Sequence, residues 1–92
     1  MRVEFYQDPE TGEPHLWKHG VSEEEASQVV EAPGELRLGE RRSMVALGQS
    51  AAGRYLKVIY RQVDAETIIV ITAFDLVGKP RRAYERRMKR KR

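Results

Sequence analysis

Residues 43–74 read SMVALGQSAAGRYLKVIYRQVDAETIIVITAF, a run in which apolar side chains recur every second position. A period of two marks a strand, because successive side chains leave an extended backbone on opposite faces. Ser43 to Gln49 is a first predicted strand, with Met44 and Ala46 on one face and Val45 and Leu47 on the other. Ser50-Ala51-Ala52-Gly53 is a hairpin loop, and Arg54 to Arg61 is the next strand. Its faces are Tyr55, Lys57, Ile59 and Leu56, Val58, Tyr60. Gln62 to Glu66 turns the chain again. Thr67 to Phe74 is apolar on both faces, the pattern of a central strand covered on both sides. Three such strands joined by short turns predict an antiparallel meander.

Upstream the pattern changes. Val3 to Tyr6 is a short strand candidate that ends at Asp8-Pro9, and Glu10 to Pro14 is a turn. His15 to His19 makes one or two helical turns, stopped by Gly20, which can take the left-handed backbone of a helix end. Ser22 and Glu25 form a capping box, with Val21 and Ala26 placed for a hydrophobic staple. The predicted helix runs from Glu23 to about Glu31, buries Ala26, Val29 and Val30, and stops at Pro33-Gly34. Downstream, Pro80 suits the first turn of a last helix to about Lys89. The predicted order is β-α-α-β-β-β-α, a small α+β domain with an antiparallel sheet and a basic C-terminal helix.

Charge is segregated along the chain. The segment 79–92, KPRRAYERRMKRKR, holds nine Lys or Arg against Glu85 alone, about +8, whereas the whole chain is +3. The body before it is therefore acidic, near −5. A concentrated positive arm is the footprint of a polyanionic partner, nucleic acid being the commonest. Ninety-two residues leave room for one domain, 1–92, carrying that arm at 79–92. The chain has no cysteine, which removes disulfides, thiolate metal sites and Cys nucleophiles. No apolar run approaches the ~18 residues that span a bilayer, and the start MRVEFYQDPE has no apolar signal core. A cytoplasmic protein with no membrane partner is expected, since Ala83, Tyr84 and Met88 give the arm too little apolar area to lie on a membrane.

The residues able to carry chemistry are His, Lys, Arg and Tyr. His15 and His19 share a face if their segment is helical. Three readings stand for them: packing near Trp17 and a helix end, acid–base work by His19, or metal binding, for which further ligands are lacking. No cofactor motif and no metal set is present. Lys57 and Arg61 share a strand face with Tyr55 and Ile59. That face is either a solvated sheet surface or a platform that holds phosphate and stacks a base. In the arm, Tyr84 and Met88 are spaced to dock it on the body, while Arg82 and Arg86 sit one turn apart. For Arg90-Lys91-Arg92 the plain reading is a solvated tail.

These residue types occur in a recognisable order. The stretch HLWKHGVSEEEA (15–26) resembles the KHGVS-x-E-E-A signature of the BrnT-type toxins. GQSAAGRYLKV (48–58) is similar to the same family's G-x-(S/T)-x-x-GR-x-L-x-V, and VITA (70–73) and RAYE (82–85) continue the likeness. The resemblance implies a RelE/ParE-like fold, a metal-independent ribonuclease that cuts mRNA and blocks translation, and a cognate antitoxin protein as partner. By position, Lys18, His19, Arg42, Arg54 and Tyr84 fall at or near motif positions. The chain departs where the family carries an arginine after the strand's Ala, since Phe74 follows Ala73 here. KPRRAY (79–84) replaces the family's ER-x-x-Y, so Arg81 or Arg82 would have to serve, and His15 stands where many members have Asn.

The expected chemistry is attack of a ribose 2′-OH on the adjacent phosphate. His19 or Tyr84 would act as acid or base, with Lys18, Arg54 and Arg82 holding the phosphate. Arg42, Lys57, Arg61, Arg81, Arg86 and Arg87 are the expected RNA-binding set. Two further readings compete with the enzyme: a non-catalytic RNA-binding module on the same scaffold, and an interaction protein whose arm binds an acidic partner.

Overall fold

A computed structural model describes residues 1–91, so that Arg92, the end of the basic arm, lies outside the described residues. The chain runs β1 (Arg2–Phe5), a 3₁₀ turn (His15–His19), α1 (Glu23–Glu31), β2 (Glu35–Leu38), β3 (Met44–Gln49), β4 (Tyr55–Gln62), β5 (Thr67–Asp75) and α2 (Gly78–Arg90), with a second 3₁₀ turn at Glu40–Arg42. This is an α+β domain with one five-stranded sheet in the order β1-β5-β4-β3-β2.

The period-two reading places β3, β4 and β5 correctly, and they pair antiparallel. The sheet as a whole departs from the expected antiparallel form. β1 lies parallel to β5, Val3 opposite Ile68 and Phe5 opposite Val70, which makes the sheet mixed. The reason is the crossover: after β1 the chain passes through α1 to the far edge and enters the sheet there as β2. That strand was absent from the sequence-based order. Glu35-Leu36-Arg37-Leu38 alternates as a strand should, and it pairs antiparallel with β3. β4, not β5, is the middle strand.

Local signals hold where they were clearest. Ser22 Oγ accepts from the Glu25 amide at 3.1 Å, and Glu25 Oε1 accepts from the Ser22 amide at 3.0 Å, completing the capping box. Gly20 takes φ 70°, the left-handed conformation that lets the turn end abruptly. α2 begins earlier than Pro80. Gly78, at φ 62°, swings the chain off β5, and Pro80 sits in the helix's first turn, where its missing N–H costs nothing.

The two helices take opposite faces of the sheet. On the α1 side, Ala26, Val29 and Val30 join Ala46, Leu56, Val58, Ile68, Val70 and Ala73 in the main core, with Leu16 from the 3₁₀ turn. Burying each Val or Leu there contributes about 1.5–3 kcal/mol. On the α2 side, Tyr84 packs with Val45, Leu47 and Leu76, flanked by Tyr55, Ile59 and Met88. Tyr84 is held so close to Gly34 that a Cβ at that position would overlap its phenol. α2 covers only the β3 side of this face. Ile69, Ile71, Thr72 and Phe74 of β5 stay half-buried, so β5 is fully covered on one face and not the other.

Among the described residues no helix is long and apolar enough to cross a membrane.

Candidate functional site

The uncovered half of the α2-side face brings together Tyr6, Phe74, both histidines and the cations Lys57, Arg61 and Arg41. β1 ends at Phe5, which leaves the last turn's worth of β5 without an edge partner. The 3₁₀ turn packs along β5. Its Leu16 enters the α1-side core, and its histidines turn the other way. The result is a row of rings. Tyr6 and His15 stand 6.4 Å apart between centroids, His15 and His19 5.9 Å, and His19 and Phe74 5.7 Å. Lys57, opposite Phe74 across the β4–β5 ladder, places its Nζ 5.7 Å from that ring. Tyr6 and His19 are exposed, and His15, Phe74 and Lys57 are half-buried, so the rings present edges and faces to solvent.

Beyond Lys57 the surface dips into a groove of about 430 Å³. Ile59 and Ile71 form part of its floor, and Lys57, Arg61 and Arg41 rim it together with Glu40. A β-bulge shapes it: Ile59 pairs with Thr72 and Tyr60 with Val70, so that Ile71 is the extra residue. The loop that closes the groove is strained. Arg41 and Arg42 both take positive φ, 52° and 63°, a conformation that side-chain-bearing residues seldom adopt and that functional loops tend to retain.

Asp8 ties the histidine turn down. Its buried carboxylate forms an ion pair with Lys18 and lies 3.5 Å from His15 Nδ1, while its Oδ1 accepts from the Glu10 amide at 2.9 Å. The bond from Lys18, reinforced by that amide, brings the Asp8 carboxyl down to about 2. Lys18 is raised in turn, chiefly by Asp8. Its ammonium is held beside the ring row, though already shared with a carboxylate.

The structure separates the other expected site residues from this face. Arg54 is a buckle. Its Nε and Nη2 grip the Asp75 carboxylate at 2.7 and 3.2 Å, and its Nη1 donates to the Gly20 carbonyl at 2.8 Å and to Glu25 at 3.1 Å. These bonds join the end of the 3₁₀ turn, the start of α1 and the ends of β4 and β5. They raise the guanidinium well above its ordinary range and lower Asp75, whose main stabiliser is Arg54. A guanidinium so engaged has one N–H left to offer a substrate.

Tyr84 is 4% exposed and stacks edge-on against Tyr55 at 6.2 Å, an anchor of α2 whose phenol is pushed up by burial. Arg81 lies over the Tyr55 ring at 3.9 Å and binds Glu85 at 2.7 Å. Arg87 holds Glu35 of β2 through two bonds, 2.7 and 2.9 Å. Arg82 and Arg86 are exposed on the side of α2 away from the sheet, and Arg42 is exposed in the strained loop. Of the expected set, then, His19, Lys57 and Arg61 share the open face, with Lys18 at its margin.

The sequence matches no family model and no curated protein.

Sequence reasoning missed Tyr6, Phe74 and Arg41 as parts of this face. Phe74 entered only as a lost arginine, although a ring opposite a lysine on an open strand face was itself a signal. Tyr6 and Arg41 had none, because both depend on how distant segments meet.

Proposed function

We propose that this chain is a metal-independent ribonuclease of the RelE/ParE-like, BrnT-type toxin kind, acting on single-stranded RNA laid across the open half of its sheet. The observation that carries the reading is the ring row Tyr6, His15, His19, Phe74 ending at Lys57. Unpaired bases stack on such rings at about 1–3 kcal/mol each, whatever their sequence, and the groove's Lys57, Arg61 and Arg41 suit the phosphates that follow. A small sheet with a helix on either face, and a basic helix at its end, is compatible with the scaffold that the sequence resemblance implies.

The chemistry assigned to the site is a transesterification. His19 takes the proton of a ribose 2′-OH, whose oxygen attacks the adjacent phosphorus. The bond to the 5′ oxygen breaks, and His15 returns a proton to that leaving oxygen. The products are a 2′,3′-cyclic phosphate and a 5′-hydroxyl. Two imidazoles 5.9 Å apart can flank one phosphate, with Asp8 orienting His15 and Lys57 opposing the charge of the phosphorane. In this assignment Arg54 and Tyr84 maintain the fold around the site. The toxin's cell target would be mRNA, and its partner a cognate antitoxin.

A second reading, a non-catalytic RNA-binding module, is favoured by one set of observations: Phe74 replaces the arginine of the resembled motif, and Arg54 and Tyr84 are both engaged structurally. Incubation of unstructured RNA with the chain and with His19→Ala separates the two. Cyclic-phosphate products from the parent, lost in the variant while binding persists, support the ribonuclease. Binding without cleavage by the folded parent assigns the module. Absence of both overturns the RNA reading.

A further inference from the structure

The cations of α2 fall into two sets with different surroundings. Arg81 and Arg87 are consumed by the protein, on Glu85 with the Tyr55 ring and on Glu35. Lys79, Arg82, Arg86, Lys89 and Arg90 are all exposed, and among the described residues none has an acidic partner. At 100° per residue those five occupy one side of the helix, opposite the side that buries Tyr84 and half-buries Met88. The stripe therefore faces away from the sheet, and it is a surface separate from the ring row. From Arg82 to Lys89 it extends roughly 10 Å along the axis.

Composition says what each surface can read. The sheet face offers rings and so suits bases that are out of a helix. The α2 stripe has no ring at all. It presents long cations in a straight, rigid row, which suits a regular array of backbone phosphates. A duplex hides its bases and displays phosphates in a fixed array, and duplex RNA is recognised by shape and backbone. We infer that the outer stripe of α2 is a second docking surface, for the phosphate backbone of an RNA duplex. The substrate class is then an RNA in which a single strand adjoins a helix, the helix held by α2 and the strand led across the sheet face. This inference rests on the RNA-binding reading of the sheet face and adds to it the form of the substrate.

The test is fluorescence anisotropy at physiological salt, where charges more than ~8 Å apart are largely screened, so that a local contact is what is measured. Three probes are used: an unstructured RNA, a blunt hairpin, and the same hairpin with a single-stranded tail. The variants are Arg82→Gln/Arg86→Gln/Lys89→Gln, all exposed positions, and Phe74→Ala. The parent should bind the tailed hairpin tightest. The triple variant should lose about tenfold or more on both hairpins, with a salt slope shallower by roughly two to three, and stay within about twofold on the unstructured RNA. Phe74→Ala should do the reverse, losing the unstructured RNA and keeping the blunt hairpin. Equal weakening of all three probes by the triple variant overturns the inference, and so does a parent that prefers the unstructured RNA to either hairpin. A parent that binds none of the probes overturns the RNA reading as well.

Discussion

One face of the sheet is built in two ways from the same strands. Toward β3 it carries Val45, Leu47, Tyr55 and Leu76, sealed by Tyr84 and Met88 of α2. Toward β5 the alternation continues, interrupted once by the bulge at Ile71, yet it brings Lys57, Arg61, Thr72 and Phe74 to a surface no helix covers. The α2 half satisfies its polar groups internally: Arg87 takes Glu35, and Arg81 takes Glu85 and the Tyr55 ring. On the open half Lys57, Arg61 and Arg41 have no acidic partner among the described residues. The contrast shows that strand periodicity decides which residues share a face, while the reach of one helix decides which of them remain available to a ligand.

Truncation should separate the halves most sharply. Tyr84→Ala removes the anchor of the sealed half and should cost about 3–5 kcal/mol in denaturant unfolding. Tyr84→Phe should leave both stability and RNA cleavage nearly unchanged, because the buried phenol has no hydrogen-bond partner among the described residues. A large loss of cleavage with intact folding in Tyr84→Phe would return that residue to the chemistry. His19→Ala should do the opposite of Tyr84→Ala, lowering cleavage by about 10²–10⁴ with little change in melting temperature.

Arg54 belongs to neither half but holds the turn that carries the histidines. Arg54→Ala strands Asp75 and Glu25 and should cost about 2 kcal/mol, roughly 8–15 °C in melting temperature. Arg54→Lys should recover only part of this, since one ammonium cannot reproduce the two-pronged grip on Asp75. If Arg54 were instead a phosphate clamp, Arg54→Ala would lower RNA affinity without lowering stability.

Acid should loosen the histidine turn. Asp8 is held at about 2 against an ordinary 3.8, chiefly by Lys18. A depressed carboxyl contributes stability that is fully present above the unfolded value and lost as pH falls through the folded one. Glu25, Glu35 and Asp75 are lowered as well, first by the Ser22 amide, Arg87 and Arg54 respectively. Melting temperature should therefore be flat near neutrality and fall from about pH 5 toward pH 2. Asp8→Asn should flatten part of that fall, and an unchanged acid limb would show that Asp8 does not couple to folding.

Much of the fold was legible because it is local. The period-two runs gave β3, β4 and β5, Ser22 with Glu25 gave the start of α1, and Gly20 gave a stop. β2 escaped notice because four residues between Pro33-Gly34 and Gly39 read as a connection. The parallel pairing of β1 with β5 joins the two ends of the fold, which no local signal encodes. The site was half legible for the same reason. His19, Lys57 and Arg61 stood out by residue type, but Arg54 looked like a free cation because the sequence does not show Asp75 and Glu25 converging on it. Phe74 drew notice for the arginine it replaces, while its value lies in the imidazole on one side and the ammonium on the other.

The most direct test of the open half as an RNA surface is a nuclear magnetic resonance titration with an unstructured RNA of roughly ten nucleotides. The ring and side-chain signals of Tyr6, His15, His19, Phe74 and Lys57 should shift together, with those of Tyr84, Val45 and Leu47 unmoved. Shifts confined to α2, with the ring row silent, would contradict it.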